Sequence, residues 1–260
     1  MITIKSEKAI ENMKLAGEVT YRALQAVKAA VRPGITTMDL DQIAEKTIRD
    51  AGAVPSFKGY GGFPGSICAS IDGEVVHGIP SHKRVLHEGQ IISIDCGAIV
   101  NGYQGDSALT VPVGQVSEEA MLLIQRTEQS FWEAMKVITD GARIGDIGHA
   151  IQTYCESFGY GVVRELCGHG IGQDMHEDPQ ICNFGRPHTG IRLREGMTIA
   201  VEPMITMHSP RVYQGDDGWV VATVDGSMAA HYEHTLLVTK KYPIILTIPE
   251  QMRKEFANEC

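Results

Sequence analysis

The sequence has no apolar run long enough to cross a bilayer, no Cys-x-x-Cys pair and no excess of basic residues. The first absence removes membrane-spanning classes, because a spanning helix needs about 20 consecutive apolar residues. Lys5, Glu7, Lys8, Glu11 and Lys14 leave no room for the apolar core of a signal peptide, so a cytoplasmic location is expected. Cys68, Cys96, Cys155, Cys167, Cys182 and Cys260 are widely spaced and read as thiols, mostly buried small hydrophobes. The net charge of −9 argues against nucleic-acid specificity and against binding to an anionic membrane. Lys5, Lys8, Lys14, Lys28 and Arg32 read as a solvated helix face.

With 260 residues, 43% of them hydrophobic, the chain is long enough for a substantial core. Residues 7–31 are expected to be helical, with Ser6 as cap and Ile10, Met13, Ala16, Val19, Ala23 and Val27 at helical spacing. A capping-box pattern at Thr36–Asp39 opens a second helix that stops at Gly52. Strand-like runs follow at 67–71, 91–100 and 103–113. Helices are expected again from Ser117 to about Ile138 and from about Asp146 to Phe158, then strands near 161–166, 197–207, 219–224 and 231–239.

The second series repeats the first. Leu86-His87-Glu88-Gly89-Gln90-Ile91-Ile92-Ser93-Ile94-Asp95 returns 107 positions later as Leu193-Arg194-Glu195-Gly196-Met197-Thr198-Ile199-Ala200-Val201-Glu202. At the same offset Gly34 matches Gly141, Asp39 matches Asp146, Leu40 matches Ile147 and Gly52 matches Gly159. The expectation is an α/β domain over 1–260, made of two similar halves (about 1–113 and 114–250) around one core, with 251–260 as a C-terminal tail.

Both copies end an interior-type strand on a carboxylate. Asp95 and Asp106 flank Asn101-Gly102, the strongest short hairpin signal. In that hairpin Gly97 faces Asp106 and Ala108 faces Asp95, so the two acids are diagonal neighbours on one face, and Gly97 and Ala108 leave room for a bound group. Glu202 takes the place of Asp95 in the second copy, and Tyr232–Val238 resembles Gly105–Val111, so Glu233 matches Asp106. Four buried carboxylates must be protonated, paired with Arg or Lys, or bound to metal, since each pair at 4 Å repels by about 4 kcal/mol at an effective dielectric near 20. Neither Arg nor Lys lies beside the acids in their local segments, which favours two divalent ions. Such an oxygen-rich set with one imidazole suits Mn, Fe, Co or Zn. His169 lies among glycines in Gly168–Gly172, and His77 and His176 stand beside short apolar runs. His231 and His234 flank Glu233 and read as neighbours of the ligands.

Phe63-Pro64-Gly65-Ser66-Ile67-Cys68, Val76-His77-Gly78-Ile79-Pro80, Asp95-Cys96-Gly97, Gly105-Asp106, Gly168-His169-Gly170-Ile171-Gly172, His176-Glu177-Asp178-Pro179, Val201-Glu202-Pro203-Met204 and Tyr232-Glu233-His234-Thr235 together resemble the motifs of the type I methionine aminopeptidases, over nearly the whole chain. The resemblance implies a single-domain α/β "pita-bread" fold, a pseudo-twofold duplicate with a central antiparallel sheet covered by helices. It implies that Asp95, Asp106, His169, Glu202 and Glu233 are the metal ligands. It also implies that His77 and His176 contact the substrate amide and that Glu202 doubles as proton shuttle. Tyr60, Phe63, Cys68, Met175 and Trp219 would line the pocket for a methionine side chain. Nascent peptide N-termini with a small second residue would be the substrates, met in transient contact with the ribosome by a monomeric enzyme. Three alternatives stand beside it: a proline-specific dipeptidase of the same fold, a non-catalytic binding protein on that fold, and a cysteine hydrolase using Cys68, Cys96 or Cys167.

Overall fold

The computed structural model describes residues 2–259, with side-chain surroundings through residue 255. Helix α1 (Glu7–Ala30) starts where the Ser6 hydroxyl accepts the Ala9 N–H, and it buries Met13, Ala16, Val19, Ala23 and Val27. Helix α2 (Thr37–Asp50) opens on the Thr36/Asp39 capping box. Helices α3 (Glu118–Met135) and α4 (Ile144–Glu156) take the corresponding places in the second half. Gly34, Gly52, Gly141 and Gly159 all have positive φ, the left-handed backbone that glycine adopts cheaply; Gly52 and Gly159 follow the ends of α2 and α4, and Gly34 and Gly141 shape the turns after α1 and α3.

The helices cover a nine-stranded antiparallel sheet. Its order is Val54–Pro55, Ile91–Val100, Tyr103–Pro112, Glu233–Leu237, Thr198–Val201, Gly168–Gly170, Glu177–Ile181, with Ile67–Ile71 also on Ile91–Val100 and Ile244–Ile245 also on Glu233–Leu237. The hairpin at Asn101-Gly102 has the expected register, and both turn residues have positive φ. The 107-residue offset recurs in the hydrogen bonds. Gly34 N–H donates to Leu86 O, and Gly141 N–H to Leu193 O; the bridge Thr36–Val85 has its counterpart at Arg143–Arg192. One apolar cluster lies under α1 and α2 around Leu40 and Ile94, and another under α3 and α4 around Phe131 and Ile199. Between them Tyr103–Pro112 pairs with Glu233–Leu237, joining the two halves.

Several expectations need correction. The run 197–207 is two strands, Thr198–Val201 and Met204–Thr206, parted at Glu202-Pro203, where proline has no N–H for a ladder. The run 231–239 likewise divides into Ala229–His231 and Glu233–Leu237, and 161–166 shrinks to Gly161–Val162. The two acid-bearing units differ in register. Val201 faces His234 and Met204 faces His231, so Glu202 and Glu233 come level, whereas Asp95 and Asp106 are diagonal. Lys5 is no solvated residue, because its side chain is 7% exposed and bridges Glu177 at 2.7 Å. The expected tail is helix α5 (Glu250–Glu259), with residue 260 outside the described residues.

Candidate metal centre and its apolar pocket

The sheet register brings the acids to one face. Ala108 faces Asp95 on one side and Glu233 on the other, and Asp106 lies two residues from Ala108 on the same strand. The alanine methyl leaves the space between the flanking carboxylates open. Gly97 does not serve the same purpose: a Cβ there would sit 2.8 Å from the Ser56 side chain and 3.1 Å from the Phe57 ring, so those side chains take up the room expected for a bound group.

Each acid is fixed through its backbone. The Thr235 hydroxyl accepts the Asp106 N–H at 3.1 Å and donates to the Asp106 carbonyl at 2.9 Å. Ser107 Oγ donates to the Glu233 carbonyl at 2.6 Å, and Asn183 Nδ2 to the Glu202 carbonyl at 2.8 Å. His169 enters from the next strand. A Cβ on Gly168 or Gly170 would come within 2.3 Å of Ala200 O or 2.1 Å of Asp178 O, so only glycine permits this close packing. His169 Nδ1 lies 2.8 Å from Gly170 O, so Nδ1 carries the hydrogen and Nε2 keeps its lone pair. Nε2 stands 3.8 Å from Asp106 Oδ2 and 3.7 Å from Glu202 Oε1.

The electrostatics are those of a cage that calls for a counter-charge. Burial, followed by repulsion from neighbouring acids, holds the Asp95 and Glu233 carboxyls well above the usual carboxylate range. Burial pushes Asp106 up to about 8 and Glu202 up to about 7. Among the described residues, the basic groups beside these acids are the imidazoles of His169 and His231, both kept neutral by burial, with no Lys or Arg. Asp95 Oδ1, Asp106 Oδ1 and Glu233 Oε1 are buried with no hydrogen-bond partner. Such atoms are destabilising unless something cationic satisfies them. Asp106, His169 and Glu233 each offer a ligand atom within 4.8 Å of the others, and so do Glu202, His231 and Glu233. The donor set therefore fits divalent cations.

His231 belongs to this centre more directly than the sequence indicated. It is 1% exposed, neither ring nitrogen has a hydrogen-bond partner, and Nε2 stands 3.6 Å from Glu202 Oε2 and 3.7 Å from Glu233 Oε2. Its signal was its place two residues before Glu233, on the same face of an extended chain. His234, one residue beyond Glu233, points to the other face and bonds Thr247, Ser107 and Tyr232, so it is a core residue and no neighbour of the metal site.

The cage opens into a cavity of about 170 Å³ walled by Phe57, Tyr60, Phe63, Cys68, Met175 and Trp219, with His77 and His176 beside the carboxylates. The structure thus brings every residue singled out for the pocket to one place, together with Phe57, which the resemblance also puts at a pocket position. Phe63 and Trp219 meet edge to face at 5.1 Å. The Asp41 carboxylate, on α2, accepts the Ser66 and Ile67 N–H groups and so anchors the start of the strand that carries Cys68. Tyr60 is 47% exposed at the rim, its hydroxyl 2.8 Å from His176 Nδ1. His77 holds a positive φ, uncommon outside glycine and frequent at functional sites. Burial lowers the pKa of both His77 and His176, so each is a neutral imidazole at pH 7. Burial and Asp95 push the Cys68 thiol up, and burial and the same acid do so at Cys96, the reverse of an activated nucleophile.

The geometry agrees with the comparisons. A methionine aminopeptidase of Clostridium acetobutylicum is 53% identical over 250 residues, covering 96% of this chain and 100% of the relative. Methionine aminopeptidase 1 of Bacillus subtilis is 49% identical, covering 95% and 99%. The crystal structure of methionine aminopeptidase from Thermotoga maritima superposes with a TM-score of 0.94 at 44% identity, covering 96% of this chain and 100% of that one. The model of metallopeptidase family M24 matches residues 11–240, and the chain belongs to that family.

Proposed function

We propose that the protein is a dinuclear metal-dependent aminopeptidase that removes the initiator methionine from nascent polypeptides with a small second residue. The observation that carries this reading is a buried cage of four carboxylates and His169 opening directly onto an apolar, sulfur-containing cavity. Asp95, Asp106, His169, Glu202 and Glu233 would hold two divalent ions (Mn, Fe, Co or Zn). When bound, the ions polarise the scissile carbonyl and lower the pKa of water.

The chain's own residues supply the rest. Phe63, Cys68, Met175 and Trp219, with Phe57 and Tyr60, surround a thioether with polarisable and aromatic surface. A cavity of about 170 Å³ has room for one side chain, which makes the enzyme act at an N-terminus. With the Tyr60 hydroxyl donating to His176 Nδ1, His176 Nε2 carries a hydrogen and donates to the carbonyl oxygen as negative charge develops. His77 meets the substrate amide from the other wall. Glu202 takes a proton from the attacking water and passes it to the leaving amine. The partners are peptide N-termini emerging from the ribosome, which the protein meets as a monomer by transient contact.

The test compares Met-Ala-Ser with Xaa-Pro peptides on protein loaded with each metal in turn. Release of methionine from the first and no cleavage of the second is expected. Preferential Xaa-Pro cleavage would assign the protein to the dipeptidases of this fold, and no cleavage of either by metal-loaded protein would leave a binding protein.

A further inference from the structure

We infer that Cys167 and Cys182 form a modification site: a dithiol that reacts with small-molecule disulfides and closes into a cross-strand disulfide beside the metal centre. Gly168 faces Ile181 and His169 faces Gln180 in the antiparallel pair Gly168–Gly170 and Glu177–Ile181, so Cys167 and Cys182 are the next facing pair outward. Facing residues of antiparallel strands have Cα atoms about 4.5–5.5 Å apart, inside the range a disulfide spans. The two thiols are near enough for each to bear on the other's ionisation. Both residues are partly exposed, unlike the buried Cys68, Cys96 and Cys155. Cys167 lines a surface depression with Gln173, Asp174 and His176, which gives a small reagent access.

The chemistry balances with a low-molecular-weight disulfide such as oxidised glutathione as oxidant. Burial, followed by the neighbouring Cys182, pushes the Cys167 thiol up to about 12, so the exchange is slow: whichever cysteine is the thiolate attacks a reagent sulfur and expels one small thiol. The second cysteine attacks the resulting mixed disulfide and expels the other. Two protein thiols are oxidised, one reagent disulfide is reduced to two thiols, and both protons go to the leaving groups or solvent.

The position gives the bond a consequence. Cys167 is two residues before His169, and the loop the bond closes contains His169 and His176. Cys182 precedes Asn183, whose Nδ2 donates to the Glu202 carbonyl. A cross-link there draws on both ends of the site, and a displacement of about 1 Å suffices to slow a positioned reaction by about 100-fold. This consequence rests on the aminopeptidase reading, whereas the disulfide itself does not.

The experiment treats metal-loaded protein with oxidised glutathione and follows intact mass, peptide mapping and methionine release. The inference expects a loss of about two mass units mapped to Cys167–Cys182, with release falling about tenfold or more and recovering on reduction. Cys182→Ser keeps basal release, forms no internal disulfide and goes no further than a glutathione mixed disulfide on Cys167. Resistance of both thiols, or pairing with other cysteines, would overturn the site; a 167–182 disulfide with unchanged release would overturn the switch alone. No release before oxidation would count against the proposed function, while the mass result still decides the disulfide.

Discussion

At the scale of single residues, the decisive feature is a set of buried oxygens with nothing to bond. Asp95 Oδ1, Asp106 Oδ1 and Glu233 Oε1 lie inside the protein without partners. Glu202 shares their cage and is the acid assigned to proton transfer. Glu202→Gln is expected to lower kcat for Met-Ala-Ser by about 10²–10⁴, the usual span for general acid–base catalysis, and to weaken metal binding. Near-normal turnover in that variant would remove Glu202 from the mechanism. His231 Nε2 lies 3.6–3.7 Å from Glu202 and Glu233, beside both carboxylates. His231→Ala should reduce Mn affinity in calorimetric titration by about 10–100-fold, as loss of a group behind a ligand does. Unchanged affinity would show that the two carboxylates do not depend on this imidazole. The four acids were legible because they interrupt interior-type strands. His231 and His234 were read alike as neighbours of the ligands, because a histidine near an acid has the same sequence signal whether it faces the acid, as His231 does, or the opposite side, as His234 does.

At the scale of elements, the site depends on how closely helix α1 can approach the sheet. A Cβ on Gly17 would lie 2.1 Å from Leu246 O, and one on Gly105, next to Asp106, would lie 2.7 Å from Gly17 N. Gly17→Ala in a helix interior would ordinarily gain about 1 kcal/mol from propensity. Here the backbone clash outweighs the gain, since overpacking costs about 1–3 kcal/mol or more. A lower urea midpoint is the expected result; a higher one would mean that α1 moves freely over the sheet. The hairpin at Asn101-Gly102 was readable in full because turn chemistry and alternation are both local. Its counterpart in the second half was only partly readable. There Pro203 breaks the strand and the register is set by partners distant in sequence, so transferring the first register missed by two residues. Strands of two or three residues such as Val54–Pro55 and Gly168–Gly170 carry no periodicity of their own and exist only as partners of longer neighbours.

At the scale of the whole molecule, the cage links stability to pH and to metal. In the metal-free protein burial lifts Asp106 from 3.8 to about 8 and Glu202 from 4.5 to about 7. The unfolded chain loses these protons near pH 4, whereas the folded chain keeps them until about pH 7–8. Between those limits the folded state holds more protons, so stability falls as pH rises. Buried histidines with lowered pKa (His77, His169, His176, His231 and His234) act in the opposite sense below about pH 6.5, so metal-free protein should melt at steadily lower temperature from about pH 6.5 to pH 8. Saturating Mn should remove that decline, because the bound form requires ionised carboxylates. A metal-free melting temperature that rises over this range would contradict the assignment of raised pKa values. The duplicated architecture was legible from the 107-residue offset alone, and the same offset reappears in paired hydrogen bonds at Gly34 and Gly141.

The most direct test of the central claim, that the carboxylate cage exists to hold paired divalent cations, is equilibrium binding of Mn to chelator-stripped protein at neutral pH, with bound metal counted per chain. The account predicts two ions per chain, with binding weakened at every one of Asp95→Asn, Asp106→Asn and Glu233→Gln. Stripped protein that takes up no Mn, or binds it unchanged when these three acids are replaced one by one, would contradict it.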